Sequence, residues 1–289
     1  MLIEELPKIL IVTPARNEAE NLSKLANSIQ LQSQHRILAW VIVDDGSTDE
    51  TSNIANTLDF EFKVIVVNRK KSGKLITGAA FAAWWEGVEF GLNIYPDSRY
   101  VMKLDADVVL DKNYFANIFT ELDENNIGIV GGVISDIHRE QKSYVPGPVK
   151  MYSRDALNLI RQLPVATGFD VMDEIICREK GFDIQIISSA KFKMNRQIGH
   201  SQGLLHGRFR NGLVCKWVGY APEYFILHAI RYIFRPPYIL GTLWMIFGYL
   251  FSRKGPYPQK LRKIHKHIQR QRLLRIIRSP TKTLRDLYL

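Results

Sequence analysis

The sequence predicts an α/β fold: a central sheet with helices on its faces, followed by a helical extension of different character. Three observations carry this. Short apolar, β-branched runs alternate with stretches of helical periodicity as far as Ile187. Each of the first four runs ends abruptly in a polar cluster. The net charge of +10 is confined to the end of the chain, where residues 252–289 hold twelve Lys/Arg against one acid, Asp286. The body is therefore close to neutral, and the excess charge says nothing about a site within it.

The first strand is Ile9-Leu10-Ile11-Val12, a continuous apolar run of the kind buried on both faces of a sheet. A polar loop, Thr13 to Glu18, follows it. Leu22, Leu25 and Ile29 then recur at helical spacing, which predicts an amphipathic helix to about Ser33. Trp40 to Val43 is the second strand, stopped by Asp44-Asp45-Gly46-Ser47. Ser47 and Glu50 fit a capping box, so a helix is expected from Thr48. Val64 to Val67 is the third strand. A basic loop, Asn68 to Gly73, leads to an Ala- and Trp-rich helix over 75–90. The fourth strand, Tyr100 to Leu104, runs into Asp105-Ala106-Asp107.

The second half continues the pattern. A helix is expected from Asp111 to Asp123 and a strand over Ile127–Val133. Pro146-Gly147-Pro148 breaks the chain before a short strand, Val149 to Tyr152, and a helix through Ile160. Gly168 opens a helix that Gly181 closes, and Ile184 to Ile187 is the last strand. Residues 195–222 are basic and Gly-rich, with no clear period.

Composition excludes several classes. Only Cys177 and Cys215 are present, which implies no disulfide framework and a reducing compartment, with Cys177 a core residue. No secretory leader is expected, since Glu4 and Glu5 come early and the first apolar run is short. Gly73-Lys74 lacks the rest of a phosphate-loop pattern, which disfavours a P-loop ATPase. A nucleotidyltransferase would want glycines directly after the first strand, and Thr13 to Glu18 has none. His200 and His206 read as ordinary structural histidines ahead of metal or phosphate contacts.

Sheets of this kind bind ligands outside the carboxyl ends of their strands. Four polar clusters should therefore line one crevice: Thr13–Glu18, Asp44–Asp49, Asn68–Lys74 and Asp105–Asp107. Asp105 and Asp107 would point to opposite faces of an extended strand; a turn there lets both reach one ion. Hard divalent cations favour such oxygens, with phosphate oxygens completing the shell. Asp173-Glu174 at the start of a helix offers either carboxylates complementing the helix dipole or a general base.

Taken together, Thr13-Pro14-Ala15-Arg16-Asn17-Glu18, Val43-Asp44-Asp45-Gly46-Ser47-Thr48-Asp49, Gly73-Lys74 and Leu104-Asp105-Ala106-Asp107 resemble the nucleotide-sugar-binding part of membrane-associated family 2 glycosyltransferases of bacterial and archaeal type. Gly168 to Gly181 resembles the acceptor-side motif of the same family. The resemblance implies a GT-A fold, a Rossmann-like mixed sheet flanked by helices. It divides residues 1–222 into a nucleotide-sugar-binding half, 1–111, and an acceptor-side half, 112–222, with residues 223–289 as a helical, membrane-associated extension. It implies that Thr13, Pro14, Ala15, Arg16 and Glu18 line the nucleotide pocket and that Asp45 contacts the base. Lys74 would lie near the diphosphate or ribose. Asp105 would hold ribose or metal, and Asp107 the metal, Mn2+ or Mg2+. The family's base usually sits in a Glu-Asp pair; here the order is Asp173-Glu174, with Asp170 three residues earlier. Asp173 is the preferred base, then Glu174. The implied reaction is inverting transfer of a sugar from a nucleotide-diphosphate donor to an acceptor hydroxyl.

Residues 224–251 hold many large apolar side chains together with His228, Arg231, Arg235, Pro236 and Pro237. The charge-free part, Pro236 to Phe251, is shorter than the about 20 residues that span a bilayer. One or two helices lying in a membrane surface are expected, with a buried helical hairpin as the alternative. Residues 260–278 mix aliphatic residues with dense Lys/Arg, the composition of an interfacial basic helix. Because aliphatics rather than stacking aromatics accompany those charges, nucleic acid is not expected as a partner. A membrane surface contacted through residues 224–278, a glycan or lipid-linked acceptor, and a peripheral or monotopic position on the cytoplasmic side complete the expectation.

Overall fold

A computed structural model of the chain describes residues 7–32, 36–69, 78–135, 144–195 and 203–278. Eight strands form one sheet in the order β3-β2-β1-β4-β7-β6-β8-β5. Strands β1 (Ile9–Ala15), β2 (Ile37–Asp44), β3 (Lys63–Asn68) and β4 (Tyr100–Leu104) run parallel. Strand β5 (Val108–Leu110) follows β4 after a turn and crosses to the far edge of the sheet. There it pairs antiparallel with β8 (Asp183–Met194). Strand β7 (Val149–Ser153) is antiparallel to both β4 and β6 (Ile127–Ile134), and β6 and β8 are parallel. The sheet is thus mixed, as the resemblance implied.

The continuous apolar strands are buried on both faces because helices cover both. Ile9, Ile11, Trp40, Ile42, Met102 and Leu104 face one layer, made by α1 (Ala19–Gln30), α2 (Thr51–Thr57) and α4 (Tyr114–Glu121). Leu10, Val12, Val41, Val43 and Val101 face the other, made by α3 (Ala79–Ile94), α5 (Arg154–Ile160) and α6 (Phe169–Glu179). This strict alternation is the period-two geometry of a strand.

Local expectations differ from the structure where side chains found other partners. Helix α2 starts at Thr51, not Thr48, because Ser47 does not cap it. The Ser47 hydroxyl donates instead to Asp44 Oδ1 at 2.5 Å, closing a turn at the end of β2. The last strand is longer than Ile184–Ile187, since its second half pairs with β5 and with the end of β6. The helix expected from residue 75 begins at Ala79; residues 75–77 lie outside the described residues.

The extension is four helices: α7 (Leu204–Trp217), α8 (Pro222–Ile230), α9 (Tyr238–Phe251) and α10 (Gln259–Arg278). Helices α7 and α9 meet backbone to backbone. A Cβ on Gly212 would lie 1.8 Å from the Met245 carbonyl, and one on Gly248 would lie 2.0 Å from that of Phe209. Only glycine permits this approach. The face of α9 turned away from α7 leaves Ile239, Leu240, Leu243, Trp244, Phe247, Leu250 and Phe251 exposed. The hairpin is therefore buried on one side only.

Helix α10 corrects the expectation of a free interfacial helix. The first half of its apolar stripe is already covered: Leu261 is buried, and Ile264 and Ile268 pack on the core beside α6, while Leu274 further along is exposed. The Tyr257 hydroxyl, just before it, donates to the Ala166 carbonyl at 2.8 Å. His265 and Gln269 lock it to the α7–α8 junction. His265 Nδ1 donates to the Val218 carbonyl at 2.8 Å, which leaves Nε2 to accept from Gln269 Nε2 at 3.0 Å. Gln269 Oε1 accepts from the Ala221 N–H at 2.8 Å. Burial lowers the His265 pKa to about 4, so the ring is neutral and the relay keeps its direction.

Two outcomes follow from this packing. Gly248→Val drives a side chain into the α7 backbone and lowers stability by about 1–3 kcal/mol, whereas Leu243→Ser on the open face leaves the melting temperature within a degree or two; equal effects in thermal unfolding would contradict the described contact. The His265 relay is fully stabilising above the ordinary histidine value of 6.5 and weakens as pH falls toward about 4, because the unfolded chain takes up a proton that the folded ring refuses. Hydrogen exchange of the α10 amides, compared at pH 7.5 and pH 5, should show lower opening free energy at the acid value in the wild type and little change in His265→Phe.

Candidate active site

The chain passes from β1 outward to β2 and β3, then returns to place β4 on the other side of β1. The carboxyl ends of β1 and β4 therefore flank the topological switch point, where such sheets open a crevice. The clusters after β1, β2 and β4 lie at the carboxyl ends of neighbouring parallel strands; of the fourth expected cluster, Asn68–Lys74, residues 70–74 lie outside the described residues.

The loops after β1 and β2 are stitched together. Asn17, with φ of 54°, accepts from the Thr48 N–H through Oδ1 at 2.8 Å. Its own N–H donates to Ser47 Oγ at 3.0 Å, and the Glu18 N–H donates to Thr51 Oγ1 at 2.8 Å. Much of the Asp44–Asp49 motif thus shapes the rim. Thr13 is fully buried and accepts from Trp40 Nε1 at 2.8 Å, so its hydroxyl serves the core rather than the pocket. Pro14 and Ala15 pair with Val43 and Asp44 in register, and Arg16 is exposed at the strand end. Glu18 is half-buried, and its carboxylate accepts from Asn21 Nδ2 at 2.7 Å.

Asp45 is half-buried, and its orientation is set by Arg69. The Arg69 guanidinium donates from Nη1 to Asp45 Oδ1 and from Nε to Glu86 Oε2, both at 2.6 Å. Sequence reasoning did not single out Arg69; its signal was its place at the start of the basic loop. Lys74, in the same loop, lies outside the described residues, as does His200.

Asp105 and Asp107 flank a turn. The Asp105 N–H donates to the Pro148 carbonyl at 2.9 Å, and the Asp105 carbonyl accepts from the Val108 N–H at 3.3 Å. Ala106 between them is buried, while both carboxylates are half-buried. Lys103, one strand position before, pairs with the Asp105 carboxylate and donates to the Gly147 carbonyl at 2.9 Å. Burial raises the Asp105 pKa, the Lys103 charge opposes this, and the Asp170 charge adds to it. Among the described residues no three His, Cys, Asp or Glu come together as a metal cage. The oxygens of Asp105 and Asp107 suit a hard cation whose remaining ligands come from elsewhere.

The three acids in the first half of helix α6 have two fates, while Glu179 in its last turn pairs with Lys260. Asp173, the expected base, is fully buried. Lys150 Nζ, also fully buried, donates to Asp173 Oδ2 at 3.0 Å, to Glu174 Oε1 at 3.1 Å and to the Asp170 carbonyl at 2.7 Å. The Tyr152 hydroxyl donates to Asp173 Oδ2 at 2.8 Å. Glu174 Oε1 also accepts from the Val145 N–H at 2.8 Å. Asp173 and Glu174 are thus both enclosed among hydrogen-bond donors. Burial by itself would lower the Lys150 pKa; the charges of Asp173, Glu174 and Asp170 outweigh it and raise it, so the ammonium stays charged. Asp170 alone is exposed, in the first turn of α6. It packs so closely on Gly147 that a Cβ there would lie 2.9 Å from its Oδ2. Gly147 is the residue whose carbonyl holds Lys103. The signal for Lys150 and Lys103 was legible: each is the single charge in an apolar strand, and the two are paired across β4 and β7. His206 is exposed on α7, and Cys177 is buried.

Comparison with known proteins agrees with this geometry. Residues 10–174 match the family model described as glycosyl transferase family 2. A 4,4'-diaponeurosporenoate glycosyltransferase of Staphylococcus haemolyticus is 31% identical over 111 residues, which is 38% of this chain and 27% of that protein. The matched segment thus spans about a quarter of that relative's length. A mannosyltransferase from Pyrobaculum calidifontis, solved with GDP-Man and Mn2+, superposes with a TM-score of 0.57 at 16% identity, covering 99% of this chain and 85% of the other. TarS of S. aureus, residues 1–349, superposes at 0.53 with 14% identity, covering 84% and 70%. Glucosyl-3-phosphoglycerate synthase from Mycobacterium tuberculosis, solved with phosphoglyceric acid, superposes at 0.53 with 17% identity, covering 74% and 83%. These likenesses establish the GT-A fold, and with a family model matching more than half its length this chain belongs to glycosyl transferase family 2.

Proposed function

We propose that the crevice between β1 and β4 binds a nucleotide-diphosphate sugar and passes the sugar, with inversion, to an acceptor hydroxyl deprotonated by Asp170. The observation that carries this is the division of labour on α6: two acids are enclosed with Lys150, while the third faces outward beside Gly147 and within electrostatic reach of Asp105. A general base must reach the proton it removes. Asp45, oriented by Arg69, offers an acceptor to a base N–H or a ribose hydroxyl. Arg16 stands exposed at the end of β1, where an anionic diphosphate would lie. Asp170 takes the proton as the acceptor oxygen attacks the anomeric carbon, opposite the departing diphosphate.

Asp105 and Asp107 are the residues that would hold Mn2+ or Mg2+, which when bound supplies a Lewis acid for the charge developing on the diphosphate. The mannosyltransferase solved with Mn2+ supports a divalent cation in this fold.

The same reading places the protein on the cytoplasmic side of a membrane. No helix among the described residues is long and apolar enough to cross one. The open face of α9, with Ile239 64% and Phe251 72% exposed, continues through Phe234, 81% exposed, and suits the headgroup–acyl boundary. The Lys/Arg-rich end of the chain would add attraction to an anionic leaflet. An acceptor presented by that membrane, a lipid-linked or surface glycan, fits such a position.

Asp170→Asn should lower kcat by about 10²- to 10⁴-fold while donor affinity stays nearly unchanged. Asp173→Asn should instead reduce stability by about 3–5 kcal/mol, since it removes one of the two carboxylates that balance the Lys150 charge in the interior. Steady-state kinetics and thermal unfolding separate the two; full turnover by Asp170→Asn would remove it as the base. For the metal, Asp107→Ala should abolish the Mn2+-dependent thermal stabilisation that a UDP- or GDP-sugar gives the wild type. Identical stabilisation with and without Mn2+ in the wild type would refute the metal role.

A further inference from the structure

The Pro146-Gly147-Pro148 turn before β7 is held at every carbonyl. That of Pro146 accepts from the Val149 N–H at 3.1 Å, that of Gly147 from Lys103 Nζ at 2.9 Å and that of Pro148 from the Asp105 N–H at 2.9 Å. The two prolines have no N–H and a fixed φ, so the turn is stiff and presents mainly acceptors. Just before it, the Val145 N–H donates to Glu174 Oε1 at 2.8 Å. The turn is therefore gripped from the end of β4 on one side and from α6 on the other.

Two lysines supply the grip. Lys103 on β4 and Lys150 on β7 lie directly opposite in the antiparallel register, a placement in which like charges repel. Each is offset by its own carboxylates: Lys103 pairs with Asp105, and Lys150 with Asp173 and Glu174. Each also donates to one backbone carbonyl, Lys103 to that of Gly147 and Lys150 to that of Asp170 at 2.7 Å. Those two residues touch one another. A Cβ on Gly147 would lie 2.9 Å from Asp170 Oδ2 and 3.2 Å from Asp170 Cβ. The φ of Gly147 is not left-handed, so this position uses the missing side chain rather than backbone freedom. Direct contacts thus run from Asp105 through Lys103 and Gly147 to Asp170.

We propose that Pro146-Gly147-Pro148 is a spacer that sets the separation between Asp105 and Asp170, with Lys103 and Gly147 as positioning residues for the transfer. This rests on Asp170 acting as the base. Asp105 belongs to the donor side of the crevice, so the spacer fixes where the base stands relative to the anomeric carbon of the bound sugar. In this role neither Lys103 nor Gly147 touches the reacting atoms; each acts through the carboxylate it holds or borders. A displacement of about 1 Å at such a place can cost about 100-fold in rate.

The test is hydrolysis of UDP-glucose and GDP-mannose by the full chain in the presence of Mn2+, with water standing in for the acceptor hydroxyl. The water oxygen bonds to the anomeric carbon as the bond to the diphosphate oxygen breaks, and the water proton goes to Asp170. Gly147→Ala should lower kcat by about 10- to 100-fold with donor KM and melting temperature nearly unchanged, because the nearest atoms its methyl meets are those of the Asp170 side chain. Lys103→Met should lower kcat and raise donor KM by about tenfold each, since it releases Asp105 and the turn together; Lys103→Arg should restore most of both. Wild-type kinetics in Gly147→Ala, or a Lys103→Arg variant as impaired as Lys103→Met, would overturn the spacer. So would a Gly147→Ala loss of full size in the Asp170→Asn background, because the two changes must act through one carboxylate. Full turnover by Asp170→Asn alone would instead sink Asp170 as the base, and hydrolysis of neither sugar by the wild type would sink the transfer reading on which the spacer rests.

Discussion

The half of this molecule that follows β5 depends on one buried ammonium. Lys150 lies in the interior on β7 and is tolerated there only because α6 surrounds it with oxygen. An unpaired charge in that place would be strongly destabilising. The pairing has a directional consequence. By holding Asp173, Glu174 and the Asp170 carbonyl at once, Lys150 fixes how the first turn of α6 is rotated. The one acid of that turn left outside faces Gly147. Glu174 extends the same network to the Val145 N–H, which ties the loop before β7 into it. The donor side is coupled through Gly147, whose carbonyl receives Lys103 while Lys103 pairs with Asp105.

The nucleotide side is organised by shorter-range means. The Asn17, Ser47, Thr48 and Thr51 hydrogen bonds make a single rim of two loops. Asp45 is held by Arg69, which is in turn held by Glu86 on α3. Both halves of the crevice thus use a cation behind a carboxylate to orient it. The carboxylates are aimed without being consumed by the pairing, since each retains further lone pairs for a ligand.

The extension shows how apolar surface is divided between fold and surroundings. Gly212 and Gly248 bring α7 and α9 into backbone contact, and the first half of the stripe on α10 is covered by the core beside α6. The largest group of exposed apolar side chains among the described residues lies on α8 and α9. Contiguous apolar surface of that kind is rare on a protein that meets only water.

The sequence by itself determined the elements and the edge of the sheet that carries the site. Strand and helix periods are local, and the polar clusters that stop β1, β2 and β4 are written contiguously with them. What only the tertiary structure decided was which carboxylates are free to act. Asp170, Asp173 and Glu174 are equivalent as letters in a helix; a lysine on β7, more than twenty residues away, separates them into buried and exposed. The position of Ser47 was decided in the same way, by Asp44 competing for its hydroxyl. So was the fate of the basic tail, whose composition is that of a free interfacial helix until α6 is found beside it. Periodicity reports whether a residue has an apolar side; only the packed chain says what that side is covered by.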